Sequence, residues 1–569
     1  MSISVVALEG ARRTQVRITA IRLRILIAVL LIGFSAIAAR LVQFALIVPD
    51  PRIEGRERSA ITATRPEITD RNGLQMALDL RMPSLFAEPR RIIDVDEVIR
   101  ELSTVLPDLD QTELRRKLTS DKGFVWVKRE LSPDLRDKIM RLGLPGLDFL
   151  TESRRFYPGG PEAAHVLGAV NIDNQGIAGI EKYLDQDQGV ALLQSVGIAR
   201  DTPLAPVRLS MDLRVQHVMR VELLDALARY RAIAAAGVML DVRTGEVLGL
   251  VSLPDFDPNA PAQGLSADRL NRITAGTFEL GSTFKTVTFA AALDSGKVRL
   301  TDSFYARFGV RFGRFTITDF HGKNRILSMP EIYKYSSNVG TIHIEQALGN
   351  DGFRAFLARL KFDQVLKTEL PETAKPKIPR RFSDIVGATA SFGHGISVTP
   401  MQMAAAMASF VNGGIYLPPT FLPRSETQAQ ALGERVVSAE TSARIRYLMR
   451  LNARAGSGSR MNRIAMGYRA GGKTGTAEKV LNGKYQSSAN LNAFASAFPL
   501  ENPRYVMVVL VDEPKAETPQ SGTTAGWNAG EVSGRIIQRV APMLGVAPDF
   551  NPMLDKDLVP PELAGRPDA

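Results

Sequence analysis

The chain has 569 residues, of which 45% are hydrophobic and 23% are charged, as in ordinary globular proteins. One hydrophobic core rarely grows to this length, so more than one domain is expected. The absence of cysteine excludes disulfides, thiol nucleophiles and cysteine-ligated metal sites. The net charge of +11 is compatible with a nucleic acid, but it is spread along the chain, and an acidic envelope polymer or a membrane nearby is equally compatible with it; no nucleic-acid partner is predicted.

The N-terminal segment is typical of a membrane anchor. Residues 1–24 hold five arginines and a single acidic residue, and residues 25–48 are apolar apart from Ser35, Arg40 and Gln43. Such a stretch can span a hydrocarbon core of about 30 Å. The positive-inside rule then places residues 1–24 in the cytoplasm and the rest of the chain across the membrane. A cleaved signal peptide ending near residues 36–38 is the alternative, but the apolar run continues past that point.

Residues 49–206 are predicted to form a first domain after a polar tether at 49–60. Leucines at helical spacing predict amphipathic helices within residues 92–145. Leu78, Leu80 and Leu85 predict short strands, and Asn72-Gly73 predicts a turn. The glycines and arginine–acid pairs after residue 153 are interpreted as structural.

Residues 207–548 are predicted to form a second domain. Two apolar runs, 237–242 and 247–251, flank a turn and predict a hairpin. Helices are predicted at 282–293, 329–349, 385–390, 401–412, 439–451 and 532–544, and strands at 493–498 and 505–511. This order indicates an α+β fold in which helices cover both faces of an antiparallel sheet. The polar, proline-rich residues 549–569 predict a mobile tail.

A serine and a lysine three residues apart, Ser282 and Lys285, share one helical face. A serine hydroxyl becomes nucleophilic when a base removes its proton, and a desolvated lysine can be that base. Ser282 is expected in the first helical turn, where the helix dipole favours negative charge. Alone, this spacing is weak evidence, because it also occurs by chance.

Two later stretches add chemistry of the same kind. Ser336 and Asn338 are two residues apart, so a proton-relaying hydroxyl and a carbonyl-binding amide can face one cleft. Lys473 is followed by Thr474-Gly475-Thr476, a cation and hydroxyl donors suited to a carboxylate, among glycines that permit close backbone approach.

The three stretches, in this order, resemble the signature of penicillin-binding proteins and serine β-lactamases. The approach to Ser282 at 271–281, the glycine-rich stretch 391–400 and the box at 65–73 are similar to class B penicillin-binding proteins, and most similar to their septal, FtsI-type branch. Leu280 stands where that family usually has proline, and Pro66 where it more often has glycine. The resemblance implies a packing and docking pedestal at 49–206, a transpeptidase domain at 207–548 and no glycosyltransferase domain.

The resemblance further implies a D,D-transpeptidase that crosslinks stem peptides ending in D-Ala-D-Ala during septal cell-wall synthesis, without a cofactor. Ser282 would form the acyl-enzyme, Lys285 would be its base, and Ser336 and Lys473 would pass the proton. Residues 476–480 would form an edge strand that pairs with the substrate peptide. Backbone N–H groups of Ser282 and Thr476 would hold the oxyanion, and β-lactams would acylate Ser282.

The resemblance also implies location and partners: a single-pass inner-membrane protein with its catalytic domain in the periplasm, paired with an FtsW-type SEDS glycosyltransferase and other divisome membrane proteins. An elongation-specific transpeptidase and a penicillin-binding sensor or scaffold stay open as alternatives. The five histidines show no ligand spacing, so no metal site is predicted. His394 either lines the cleft or is structural.

Overall fold

A computed structural model describes residues 24–35, 37–38, 65–186, 204–481 and 483–565. Residues 24–35 are helical and expose apolar side chains such as Leu31 and Ile32. No helix within the described ranges combines the length and hydropathy needed to cross a bilayer. The predicted cytoplasmic tail up to residue 23, residues 36 and 39–48 of the predicted anchor, and the tether at 49–60 lie outside the described residues.

Strands and helices alternate along the described chain. The strands are β1 (Ile68–Thr69), β2 (Gln75–Ala87), β3 (Val125–Lys128), β4 (Leu147–Phe156), β5 (Ala169–Val170), β6 (Gly176–Ala178), β7 (Val207–Arg208), β8 (Ala234–Asp241), β9 (Val247–Leu253), β10 (Ser303–Tyr305), β11 (Val310–Phe312), β12 (Phe315–Ile317), β13 (Ile326–Ser328), β14 (Ile415–Tyr416), β15 (Glu434–Arg435), β16 (Gly471–Leu481), β17 (Lys484–Phe498) and β18 (Tyr505–Asp512). The helices from residue 65 onward are α1 (Val95–Val105), α2 (Gln111–Leu118), α3 (Pro133–Met140), α4 (Ala164–Leu167), α5 (Gly179–Gln186), α6 (Leu213–Tyr230), α7 (Phe284–Asp294), α8 (Met329–Tyr335), α9 (Asn338–Leu348), α10 (Asn350–Arg359), α11 (Asp384–Ser391), α12 (Pro400–Val411), α13 (Glu426–Leu432), α14 (Ala439–Ala455), α15 (Ser459–Ile464), α16 (Ala529–Met543) and α17 (Met553–Asp557).

The chain divides into two compact units, one of Met1–Ile61 and Met82–Glu152 and the other of Thr62–Arg81 and Ser153–Ala569. In the first unit, α1, α2 and α3 confirm the helices predicted within 92–145. Each begins at a side chain that accepts backbone N–H groups, namely Asp94, Asp110 and Ser132. Their apolar faces form a core around Leu102 and Leu118, together with β3, a strand the sequence pattern did not indicate.

The larger unit includes residues 65–81, 153–186 and 204–206, which the sequence assigns to the pedestal. A buried ionic cluster lies among these residues. Glu181 bonds Arg155 Nε at 2.6 Å and Arg65 Nε at 2.7 Å, and Arg155 also pairs with Asp79 at 3.0 Å. Buried charges are tolerated when each finds partners, as these do. These side chains are not exposed, which agrees with the prediction that the arginine–acid pairs after residue 153 are structural.

A five-stranded antiparallel sheet in the order β16-β17-β18-β8-β9 forms the centre of the larger unit. It confirms the predicted hairpin at 237–251 and the predicted strands at 493–498 and 505–511. Alternate residues of β18 point to opposite faces: Val508 enters one apolar cluster and Val509 the other. Helices α7 and α12 contribute to the first cluster and α6 and α16 to the second, so both faces are covered. The predicted α+β class is therefore confirmed.

One predicted helix is wrong. Residues 329–349 form two helices, α8 and α9, rather than a single one. Ser336 ends α8 with a left-handed φ of +58°, and Ser337 begins α9 by accepting the Gly340 N–H at 3.0 Å. Serine favours such caps because its hydroxyl competes for backbone hydrogen bonds.

The predicted mobile tail is also wrong for residues 549–565, which are ordered against α14. Asp555 on α17 pairs with Arg450 at 2.8 Å, and Glu562 pairs with Arg444 at 2.7 Å. Leu563 is buried in the main apolar cluster. Ion pairs and one buried leucine thus fix a segment that looks featureless in sequence. Residues 566–569 lie outside the described part of the chain.

Candidate active site

The nucleophile candidate Ser282 lies in a 3₁₀ turn, Gly281–Thr283, that leads directly into α7. Gly281 has a φ of +53°, and a Cβ there would lie 2.8 Å from the carbonyl oxygen of Thr476. Glycine is therefore required for the turn to pack this closely on β16. Every residue of α7 from Phe284 to Leu293 is buried. The half-buried Ser282 thus sits on a rigid support, at a helix N-terminus that favours negative charge.

Lys285 is fully buried in the first turn of α7. Its ammonium nitrogen donates to the carbonyl oxygen of Ser336, to Ser336 Oγ at 3.1 Å and to Asn338 Oδ1 at 2.8 Å. Burial lowers the pKa of Lys285 well below its ordinary value, and the neighbouring charge of Lys473 lowers this pKa further. A lysine in this environment loses its proton more readily than a free lysine does, so it can serve as a base.

The break between α8 and α9 is what aims the second stretch at Lys285. Because Ser336 is left-handed, both its carbonyl and its hydroxyl face the lysine, and Asn338 reaches the same nitrogen from the first turn of α9. Non-glycine residues adopt this conformation uncommonly, and such residues are enriched at functional sites. Ser336 and Asn338 therefore face one place, as predicted, and both side chains meet Lys285 there.

Asp319, which follows β12, is a site residue that the sequence analysis missed. Its Oδ2 accepts the Ser337 hydroxyl at 2.6 Å, and its Oδ1 accepts the N–H of Asn338 and that of Val339, the latter at 3.0 Å. Its charge raises the pKa of Lys285, opposing the larger effect of burial. A lone carboxylate in a segment without periodicity gave no signal in the sequence.

Lys473 extends from β16, which is an edge strand because β17 is its only neighbour in the central sheet. This position confirms the predicted edge. Lys473 is fully buried, its Nζ donates to Ser336 Oγ at 2.9 Å, and burial lowers its pKa to about 7. A Cβ on Gly475 would lie 2.1 Å from the carbonyl oxygen of Leu280, so glycine lets β16 approach the nucleophile turn.

The two threonines of this strand contact groups beyond the predicted set. Thr474 Oγ1 lies 2.6 Å from Ser457 Oγ, and Thr476 Oγ1 accepts the Ala525 N–H at 3.2 Å. Ser457 is a second residue that the sequence analysis missed, since it lies in a loop after α14. Adjacent hydroxyls on Ser457 and Thr474 form a polar wall that suits a carboxylate.

The glycine-rich stretch forms the opposite side of the nucleophile turn. The Gly395 N–H donates to Glu279 at 3.1 Å, and the Tyr485 hydroxyl lies 3.3 Å from the same carboxylate. The His394 ring lies 5.9 Å from the Tyr485 ring, and burial lowers its pKa, as does the charge of Lys285. His394 therefore lies beside the site, which favours the interpretation that it lines the cleft.

The structure brings all eight predicted site residues to one place. Lys285, Asn338 and Lys473 meet around Ser336 through direct hydrogen bonds. Ser282 joins them because its turn packs on β16. The other three predicted site residues lie on β16 next to Lys473, namely Thr474, Gly475 and Thr476.

Comparison with known proteins agrees with this geometry. Residues 235–538 match the penicillin binding protein transpeptidase domain, and residues 60–190 match the penicillin-binding protein dimerisation domain. The chain is 35% identical over 500 residues to a probable peptidoglycan D,D-transpeptidase FtsI of Caulobacter vibrioides, a match covering 86% of this chain and 83% of that protein. The chain belongs to the class B penicillin-binding proteins of the FtsI type.

Two further relatives extend the comparison. The Escherichia coli peptidoglycan D,D-transpeptidase FtsI is 29% identical over 563 residues, which cover 94% of each chain. A crystal structure of penicillin binding protein 3 from Mycobacterium tuberculosis, complexed with aztreonam, superposes with a TM-score of 0.64 at 22% identity, covering 86% of this chain and 98% of that one. At that identity the second match concerns the fold, which is the pedestal-and-transpeptidase architecture expected from the sequence.

Proposed function

We propose that this penicillin-binding protein is a serine D,D-transpeptidase that crosslinks peptidoglycan stem peptides during septal cell-wall synthesis. The observation that carries the proposal is the meeting of two buried lysines, Lys285 and Lys473, on one hydroxyl, Ser336 Oγ. Each lysine has a lowered pKa, so protons can move through this group near neutral pH. The names of the FtsI relatives support the substrate class and the septal role.

Acylation follows from these positions. Neutral Lys285 takes the hydroxyl proton of Ser282, whose oxygen attacks the carbonyl carbon of the penultimate D-Ala. The backbone N–H groups of Ser282 and Thr476 hold the oxyanion that forms. The C–N bond then breaks, and the departing D-Ala amine receives its proton through Ser336. This leaves an ester between Ser282 and the donor peptide.

Transfer repeats the chemistry in reverse. An amine on a neighbouring stem peptide attacks the ester carbonyl and loses a proton to the lysine–serine relay. The ester C–O bond breaks and Ser282 regains its proton, so no cofactor is consumed. A β-lactam follows the first half only, because its ring opens without releasing a leaving group. The aztreonam complex of the Mycobacterium tuberculosis relative supports this expectation.

Substrate binding uses the edge strand β16. The terminal carboxylate of the donor lies near Thr474 and Thr476, and the extended donor peptide adds to residues 476–480 through backbone hydrogen bonds. A cavity of about 240 Å³ borders the far end of this strand, between residues 277–279 and 477–480. Its position suits the side chain that precedes D-Ala-D-Ala in the donor.

A membrane location and a partner belong to the same proposal. Residues 25–48 anchor the chain in the inner membrane, with residues 1–24 cytoplasmic and the catalytic domain periplasmic. The arginine bias of residues 1–24 supports this orientation, and the exposed apolar side chains of the helix at 24–35 support the membrane location. We also propose that the chain pairs with an FtsW-type SEDS glycosyltransferase and with other divisome membrane proteins. This part of the proposal is supported by the resemblance to the septal class B penicillin-binding proteins.

Labelling with a fluorescent penicillin tests the reaction. Ser282→Ala is expected to abolish covalent labelling, because it removes only the attacking oxygen, while the control Ser295→Ala at the end of α7 labels normally. Full labelling of Ser282→Ala would refute the assignment. A fluorescent fusion tests the septal role, since enrichment along the side wall rather than at midcell would favour the elongation-specific alternative. A chain that labels but releases no D-Ala from a pentapeptide would be a sensor or scaffold.

A further inference from the structure

An exposed cationic and aromatic segment lies beside the second catalytic stretch. Residues 303–328 form two small antiparallel pairs, β10 with β13 and β11 with β12. They contain five arginines and lysines and a single acidic residue, Asp319. We call residues 303–328 the hairpin surface.

One face of the hairpin surface is fixed to the catalytic unit. Val310, Phe312 and Ile317 pack against a small apolar cluster that includes Ile342 of α9 and Phe392 of the glycine-rich stretch. Asp319 ties the segment to Ser337 and Asn338, as described above. The hairpin surface is therefore held in place at the rim of the active site.

Its other side exposes large apolar side chains that would ordinarily be covered. Phe308 is 67% exposed, Phe315 is 54% exposed and Phe320, next to Asp319, is 79% exposed. Arg307 lies over the ring of Phe308 at 5.6 Å, and Arg314 over the ring of Phe315 at 5.1 Å. Large apolar side chains grouped within one exposed segment mark a binding surface more often than scattered ones do.

Three arginines of this surface lack carboxylate partners of their own. Within the described chain, Arg307, Arg311 and Arg314 form no ion pair, whereas neighbouring Arg325 pairs with Glu331. Unpaired guanidinium groups can each take a carboxylate in a bidentate contact. Aromatic faces beside them suit the C–H faces of sugar rings. The surface thus matches a polymer that carries both carboxylates and sugars.

We propose that the hairpin surface docks the second peptidoglycan strand, a glycan whose stem peptides bear carboxylates, and so holds the acceptor next to Ser282. This proposal rests on the proposed function. The alternative occupants are an anionic membrane surface and an acidic protein segment. The strand is favoured because the surface adjoins the catalytic groove, where the acceptor must arrive.

Matched triple variants of the full-length protein in detergent test the proposal. The first is Arg307→Gln/Arg311→Gln/Arg314→Gln. The control, Arg354→Gln/Lys367→Gln/Arg463→Gln, removes three exposed cations elsewhere in the same unit, so the net charge changes equally. Binding is measured to uncrosslinked glycan strands with intact stem peptides, and acylation is measured with a fluorescent penicillin.

The first variant is expected to bind the strands roughly tenfold more weakly, because exposed charge pairs contribute modestly and three are lost. Its penicillin acylation rate and the strand binding of the control should stay unchanged. Equal weakening of the control, or unchanged binding of the first variant, would overturn the proposal. Stronger wild-type binding to phosphatidylglycerol vesicles than to the strands, lost in the first variant, would assign the surface to the membrane instead.

The aromatic part of the surface has its own test. Phe308→Ser/Phe315→Ser is expected to weaken binding to uncharged N-acetylglucosamine oligomers, which the arginine variant should bind as well as the wild type does. Unaltered binding by the phenylalanine variant would remove the sugar contact from the proposal. If penicillin does not acylate Ser282 of the wild-type protein, the proposed function is refuted. The strand-binding results would still show whether the hairpin surface binds the strand.

Discussion

The ammonium nitrogen of Lys473 lies 2.9 Å from the hydroxyl oxygen of Ser336, although the two residues are 137 positions apart. The same oxygen is 3.1 Å from Lys285 Nζ. Two cations this close in a buried site repel each other, so the pair favours states in which at least one lysine is neutral. The serine hydroxyl is thus placed to pass a proton between a neutral lysine and a charged one.

The base assignment predicts that arginine cannot replace Lys285. Lys285→Arg is expected to slow acylation of Ser282 about as much as Lys285→Ala does, by roughly a hundredfold or more. Arginine stays protonated and cannot accept the serine proton, even though it keeps the positive charge. Stopped-flow acylation by a chromogenic β-lactam measures the rates. A rate near that of the wild type in Lys285→Arg would remove Lys285 from the role of base.

Because Lys473 is buried, we predict that it lowers the stability of the protein although activity requires it. Burial lowers its pKa from 10.5 to about 7, which implies that the charged lysine destabilises the folded protein by about 5 kcal/mol below pH 7. The hydrogen bonds that the lysine makes offset part of this cost. Lys473→Met should therefore be inactive yet unfold at higher temperature than the wild type. The cost is full below pH 7 and disappears as the pH rises toward 10.5, so the difference between the two proteins should shrink over that range.

Thermal unfolding at several pH values checks this expectation. Arg450→Met is the control, because Arg450 is paired with Asp555 and its loss should destabilise the protein. A Lys473→Met variant that is less stable than the wild type at pH 6 would contradict the proposed cost.

Local patterns in the sequence sufficed for much of this fold and site. The apolar runs at β8, β9 and β18 predicted the centre of the sheet, and the spacing of Ser282 and Lys285 placed both at one helix start. The prediction that Lys473 joins them came from resemblance to a family, because no local pattern encodes its contact with Ser336 across 137 positions.

What the sequence did not reveal depends on single contacts between distant residues. The helical pattern of residues 329–349 runs through Ser336, so only the backbone shows the break. Asp319 and Ser457 join the site through partners 18 and 17 positions away, with no motif of their own. The end of the chain looked mobile because its ordering rests on Asp555 and Glu562, whose partners lie in α14.

The ordered C-terminal segment predicts a stability role for Asp555. Both of its carboxylate oxygens contact Arg450, at 2.8 and 3.1 Å, and both side chains are mostly buried. Asp555→Ala should lower the free energy of unfolding by about 1–3 kcal/mol, since it leaves a buried guanidinium underpaired. Asp557→Ala, an exposed carboxylate in the same helix, is the matched control and should change little. Equal effects of the two in denaturant unfolding would contradict the role.

Asp319 offers a way to separate geometry from charge. Asp319→Ala removes the acceptor of the Ser337 hydroxyl and of two backbone N–H groups, so the turn that aims Ser336 and Asn338 at Lys285 loosens. Acylation should slow at least tenfold, because each unsatisfied buried group costs about 1–3 kcal/mol. Asp319→Asn keeps an oxygen acceptor and the shape of the side chain, so it should retain much more of the rate.

The charge of Asp319 has a different signature. It raises the pKa of Lys285, so its removal in Asp319→Asn lowers that pKa further. Because Lys285 acts when neutral, the acid limb of the pH–rate profile for acylation should move to lower pH in Asp319→Asn. A purely structural cap would change the maximum rate and leave the limb where it is. The measurement uses a β-lactam that does not titrate in that range. If the acid limb of the profile stays in place in Asp319→Asn, the role of Asp319 is only to hold the turn.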